Sequence, residues 1–234
     1  MGEVGASFGE TNADRHPPSS GGEQHLIPID QKVLNDLRHS LGNYLHRLYY
    51  CADCLKSGAD DLGPDLSPVE MLDRTIQNLD GFLRTALEYF RPPDLSCVTL
   101  NGEELGRSVA SVLHSAKAGR SEVVAGPGVE RWHVAIDPSR FSEALAIVAK
   151  QIRAAAGDQT RPINASVEEA APQAALRLEL RLAGEKQAGS RRELGVVEWA
   201  VAGRLLAAHG GSLEPISEEG VIAGCVIYVP AQAS

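Results

Sequence analysis

Seven side chains, Leu34, Leu37, Leu41, Tyr44, Leu48, Cys51 and Leu55, recur at alternating intervals of three and four residues. That spacing belongs to a helix with one narrow apolar seam. A second set, Val69, Leu72, Ile76, Leu79, Leu83, Ala86 and Phe90, repeats the pattern after a break. The break, SGADDLGPDLSP, holds Gly58, Gly63 and Pro64, and Ser67-Pro68 then offers an N-cap followed by proline at the first helical position. Asp30 can cap the first helix, predicted to run to about Lys56. The second is predicted from Pro68 to about Phe90, where Pro92 and Pro93 end it. A narrow seam cannot bury itself. Two such helices make an antiparallel hairpin, whose stripes are best covered by a second hairpin in a dimeric four-helix bundle. Cover supplied by the C-terminal part of the same chain is the competing arrangement.

From Cys97 the pattern changes. CVTL reads as a short strand, and GEELGRSVASVLHSAK as a helix with Leu105, Val109, Val112 and Leu113 on one side. SEVVAGPG and RWHVAID alternate like strands separated by a turn at Gly126-Pro127-Gly128. PSRFSEALAIVAKQIRAAAG is a helix ended by Gly157, and residues 175–183 alternate as an antiparallel strand with one polar face. GVVEWAVAGRLLAAHGG is a further helix with a Gly-Gly stop, and CVIYVP is a last strand. This order suits an α+β sandwich with helices on one face of a sheet. The expected domains are a disordered tail over 1–26, poor in large apolar residues, a helical hairpin over 27–93 and an α+β domain over 94–234.

A net charge of −9 argues against nucleic acid as a partner, because phosphate binding needs a basic surface. No apolar run reaches the roughly 18 residues of a membrane span, and no secretory signal pattern opens the chain, so a cytoplasmic location is expected. The four cysteines are too scattered for a disulfide framework. Cys51 and Cys54 form a CxxC without a second half-site, and read as small residues inside the bundle rather than metal ligands; no metal site is expected.

A helical hairpin followed by such an α+β domain resembles the phosphotransfer and ATP-binding core of bacterial sensor histidine kinases. RHSLGNYL is similar to the phosphoacceptor motif, in which Asn or Thr follows a histidine by four residues. The resemblance makes His39 the phosphoacceptor and gives Asn43 a possible phosphatase role, orienting water. His39 lies on the side of the helix away from the seam; His46 recurs seven residues later, and Arg38 and Arg47 flank the acceptor. IDPSRFSEAL resembles the lead-in to the first ATP-site helix. LGVVEWAVAGRLLAAHGGSLEP, with CVIYVP behind it, resembles the family's last helix, His-Gly-Gly turn and final strand, with His209 in a structural place.

The departures bear on chemistry. Gln151 stands at the family's magnesium-phosphate Asn, with Ile147 at a second polar position. Leu182-Ala183-Gly184 replaces the strand end whose carboxylate reads adenine, and Glu193-Leu194-Gly195 replaces the phosphate-contacting Gly-x-Gly. Residues 185–192 leave no room for an ATP-lid helix. Ser40 follows His39 where active kinases carry a carboxylate that accepts the ring proton. The resemblance therefore implies a histidine phosphotransferase on a degenerate kinase scaffold. It would relay phosphoryl groups between response-regulator receiver aspartates, with no cofactor of its own, Mg2+ supplied through the receiver, and little or no ATP binding. A homodimer without nucleic-acid or membrane partners is expected. A divergent sensor kinase and a non-catalytic dimeric adaptor are the alternatives, so enzyme status stays open at this point.

Overall fold

The computed structural model describes residues 30–57, 67–91, 94–115, 121–170, 173–184, 194–218 and 221–234; the expected tail and the 185–192 segment lie outside them. Its first two elements are α1 (Gln31–Ser57) and α2 (Pro68–Phe90). Both begin where their capping residues place them. Asp30 Oδ1 accepts the Lys32 N–H at 2.8 Å. Ser67 and Glu70 form a reciprocal box: the Glu70 N–H donates to the Ser67 hydroxyl at 3.2 Å, and the Ser67 N–H to Glu70 Oε2 at 3.1 Å.

Each seam divides into two registers of period seven. Leu37, Tyr44 and Cys51 on α1, with Leu72, Leu79 and Ala86 on α2, are buried or half-buried inside the hairpin, where the Tyr44 and Phe82 rings meet at 5.4 Å. The alternate register stays outside. Leu34, Leu41 and Leu55 on α1 and Val69, Ile76, Leu83 and Phe90 on α2 are exposed, and Leu48 is half-buried. A knob at every seventh position on each helix is thus left without a hole.

The rest of the chain runs β1 (Val98–Asn101), α3 (Gly102–Ser115), β2 (Val123–Ala125), a 3-10 turn (Val129–Arg131), β3 (Trp132–Ile136), α4 (Pro138–Ala155), β4 (Ile163–Glu169), β5 (Ala175–Leu182), α5 (Val196–Ala208), β6 (Ser212–Glu218) and β7 (Val221–Ala233). The sheet has the order β1-β3-β7-β5-β4-β2, with β6 paired to β7. Only β2 and β4 pair in parallel among the described ladders. Three departures from expectation stand out. β4 and β6 are strands where none was expected, and β7 extends beyond 225–230 at both ends. The Gly126-Pro127-Gly128 turn joins two strands that do not pair with each other: β2 pairs β4, while β3 pairs β1 and β7. Gly128 takes φ of +83°, and the short 3-10 turn that follows carries the chain to the far half of the sheet.

One face of the sheet meets the helices. Leu105, Val109 and Leu113 of α3, Phe141, Leu145 and Val148 of α4 and Val201, Leu205 and Leu206 of α5 close over Leu176, Leu178, Leu180, Ile227 and Val229. The alternate positions of β5 form a charged ladder. Glu179 pairs with Arg177 and Arg181, Arg177 reaches Glu168 at 3.6 Å, and Arg181 reaches Glu218 at 2.7 Å. Partial burial works against the Glu179 carboxylate, but hydrogen bonds from Arg181 and Arg177 hold it below the usual range.

The hairpin is anchored on the second half at the end away from its connection. Val33 and Tyr89 belong to the same buried cluster as the sheet, and Leu37 and Phe82 pack against it. The Asp30 N–H donates to the Tyr89 hydroxyl at 3.3 Å. Arg204 of α5 stacks its guanidinium 4.8 Å from the Tyr89 ring centroid and donates to the Tyr89 carbonyl. Arg140 of α4 binds Glu88 of α2 and Glu143, each at 2.8 Å, with little exposure at the arginine. Intramolecular cover therefore takes one end of the hairpin and leaves the outer registers bare.

Candidate functional site

His39 sits on the exposed face of α1, with Asn43 one turn further on the same face. Asn43 Nδ2 lies 3.1 Å from His39 Nδ1. This contact follows from helix geometry, since residues four apart stand one above the other. Ser40 is half-buried, and among the described residues no carboxylate pairs with the His39 ring. Arg38, His46 and Arg47 are also exposed on α1. The outward-facing histidine expected from the spacing is in place, and its partner is an amide.

His209 is buried. Its Nδ1–H donates to the Leu205 carbonyl at 2.7 Å, and its ring stands edge-on to Phe141 with centroids 6.0 Å apart. It closes α5 onto α4, the structural place expected for it. Asp137 caps α4 through the Ser139 and Arg140 N–H groups at 2.9 and 3.0 Å, and its other oxygen accepts the Ser96 N–H at 2.8 Å. The Ser96 bond first, then the Arg140 bond, holds this carboxyl below the ordinary carboxylate range against the opposing effect of burial. The linker from the hairpin is thereby tied to the start of α4.

The three positions that the resemblance aligns with a nucleotide site, Gln151, Gly184 and Gly195, divide into two groups. Gln151 and Gly195, 44 residues apart, come together: the Gly195 N–H, at the N-cap of α5, donates to Gln151 Oε1 at 2.8 Å. Glu198, in the first turn of α5, folds back over Gly195, and a Cβ there would stand 2.3 Å from Glu198 Oε2. A helix N-terminus is a natural anion site. Here that end is occupied by an amide oxygen and a carboxylate of the chain itself. Glu193, the acid noted in the sequence, lies outside the described residues; Glu198 supplies negative charge at the helix start, and its glutamate in the first turn was the available signal.

Gly184, with φ of +80°, ends β5 elsewhere. Its carbonyl and that of Ala183 accept from the Arg161 guanidinium at 2.6 and 2.7 Å. The Arg161 carbonyl in turn accepts from Arg153 Nε at 2.9 Å. Burial lowers the pKa of Arg153, whose Nη2 has no hydrogen-bond partner among the described residues. The end of β5 is thus clamped through its backbone by a cation.

No protein-family model matches the chain. Among curated proteins, 54 residues, 23% of the chain, are 35% identical to the methionine–tRNA ligase of Methanoculleus marisnigri and span 8% of its length. The fold is similar to that of the Acinetobacter baumannii histidine kinase AdeS, with a TM-score of 0.55 and 17% identity over 82% of this chain and 97% of that one. It is also similar to histidine kinase ThkA in its complex with response regulator protein TrrA, with a TM-score of 0.55 and 17% identity over 85% of this chain and 60% of that one. The chain thus shares the fold of these histidine-kinase cores, in which a helical region precedes an α/β sheet domain. Among the described residues no helix is long and apolar enough to cross a membrane.

Proposed function

We propose that this histidine-kinase-like core is a histidine phosphotransferase, in which His39 takes a phosphoryl group from one receiver aspartate and passes it to another. One pairing carries the reading. An exposed histidine stands on α1 without a carboxylate neighbour, while Gln151 and Glu198 already occupy the N-terminus of α5. The first arrangement suits a nucleophile that meets a protein-borne phosphate. The second leaves polyphosphate facing a carboxylate where it needs free amides and positive charge, so the residues present do not fit ATP.

A phosphotransfer histidine needs access and alignment, with little else from its own chain. An imidazole nitrogen attacks the phosphorus of the aspartyl phosphate in line, and the aspartate carboxylate leaves with the P–O electron pair. Magnesium would belong to the receiver. ThkA is described in complex with a response regulator, and the same class of partner is proposed here. The bare registers on α1 and α2 support a second copy of the hairpin as their cover, giving a homodimeric four-helix bundle. A cytoplasmic location, with its receivers, accompanies this proposal.

The test is phosphoryl transfer from phosphorylated receivers to the wild type and to His39→Ala. The wild type is expected to become labelled in an acid-labile form and the variant to remain unlabelled. Equal labelling of both, or labelling of neither by a broad receiver set, would overturn the assignment. Micromolar binding of Mg-ATP in calorimetry would restore the sensor-kinase alternative.

A further inference from the structure

The last turn of α2 is gripped by two arginines that come from different helices of the second half. Tyr89, 4% exposed, is held at three points: its hydroxyl accepts the Asp30 N–H, its ring lies under the Arg204 guanidinium, and its carbonyl accepts from Arg204. Arg204 thus places a cation at the negative end of α2. One residue earlier, Glu88 accepts from Arg140 of α4, and the side chains of that pair are only 20% and 16% exposed, so solvent screens it less than a surface pair. The connecting chain has little slack. Arg91 donates its N–H to the Leu87 and Glu88 carbonyls and takes the extended backbone, φ −71° and ψ 130°, that a following proline imposes. Ser96 is pinned to Asp137 Oδ2 at 2.8 Å. Between these two fixed points the sequence is Pro92-Pro93-Asp94-Leu95, and a proline ring removes one of its residue's two free torsions.

We propose that these contacts form a clasp that keeps the two halves together as one rigid body, so that the second half is a fixed seat for the hairpin and does not swing about the linker. The contacts cannot be released one at a time. Glu88 and Tyr89 are adjacent on α2, and Asp137 and Arg140 lie together at the start of α4. A hinge motion must therefore break both arginine contacts, free Ser96 and uncover Val33 and Tyr89 in a single step. The inference goes beyond the phosphotransfer function and stands without it, since the clasp needs neither a phosphoryl group nor a partner. Whatever reaches His39 then meets one surface of fixed shape.

Residual dipolar couplings of backbone amides, measured on the full-length protein in a dilute aligned phase, test the rigid body directly. Amides of α1 and α2 and amides of the sheet are expected to fit a single alignment tensor. Hydrogen exchange at residues 86–91 then reads the strength of the clasp. Arg140→Gln combined with Arg204→Gln removes two charge-assisted bonds, each worth about tenfold in an opening equilibrium. Exchange at 86–91 should therefore quicken about a hundredfold, while residues 74–79 in the middle of α2 keep the wild-type rate. Arg84→Gln loses only the exposed pair with Asp80 and should change neither segment. Separate tensors for the two halves of the wild type defeat the proposal, and so does exchange at 86–91 in the double variant within about threefold of wild type. If the double variant does not fold, as Trp132 and Trp199 fluorescence would show, the wild-type couplings decide alone.

Discussion

Replacing Ile76 and Leu83 together by glutamate attacks the outer register of α2 without touching the inside of the hairpin. Within one chain the two residues are 50% and 43% exposed. Full burial of such a side chain contributes about 1.5–3 kcal/mol, so roughly 1 kcal/mol at each position remains to be gained against a second copy. In a symmetric dimer each substitution occurs twice. Four side chains then account for roughly 4 kcal/mol, about a thousandfold in Kd, before the cost of bringing four carboxylates together. Sedimentation equilibrium over a concentration series measures this directly. The wild type is expected to be a dimer at micromolar concentration and the double variant a monomer. Fluorescence of Trp132 and Trp199, both packed against the core, reports whether the second half stays folded. Gln77→Glu, at an exposed polar position on the same helix, should leave the Kd unchanged. A monomeric wild type at micromolar concentration, or a double variant within tenfold of the wild-type Kd, would refute the bundle.

Two further substitutions test the second half. Gln151→Ala leaves the Gly195 N–H without its acceptor and should lower unfolding free energy by about 1–2 kcal/mol in urea titrations, with phosphoryl uptake at His39 unchanged. Asp137 has a depressed folded pKa, so its contribution is fully present above the ordinary carboxylate range and is lost as pH falls through the folded value. Asp137→Asn should therefore be less stable than wild type at pH 7, with the difference shrinking in acid below about pH 4; a difference independent of pH would contradict the assignment.

Local signals made the first half of the molecule legible. Breakers, caps and a three-four spacing act within one or two turns, so Asp30, Ser67 and Glu70 fixed both helix starts, and His39 and Asn43 had to share a face. β4 and β6 were not legible for the opposite reason. INASVEE and SLEPISE carry Asn, Ser, Glu and Pro, residues with little strand preference. They are extended because β5 and β7 offer them ladders. Resemblance could single out Gln151, Gly184 and Gly195, but nothing local foretells that Gln151 bonds the Gly195 amide or that Arg161 clamps the end of β5. Arg204 against Tyr89 is likewise a contact across 115 residues, invisible to periodicity.

β7 has a consequence for how the molecule comes to be made. It is the last strand in chain order, yet it lies between β3 and β5 and also receives β6. Without it the β1–β3 ladder has no connection to the β5–β4–β2 ladder. The hairpin can pair as soon as α2 is synthesised, because its contacts are close in sequence. The apolar face of the sheet, by contrast, stays open until β7 has left the ribosome. The two halves therefore mature on separate clocks, and the interval between them is when the nascent chain is most exposed to aggregation and most in need of a chaperone.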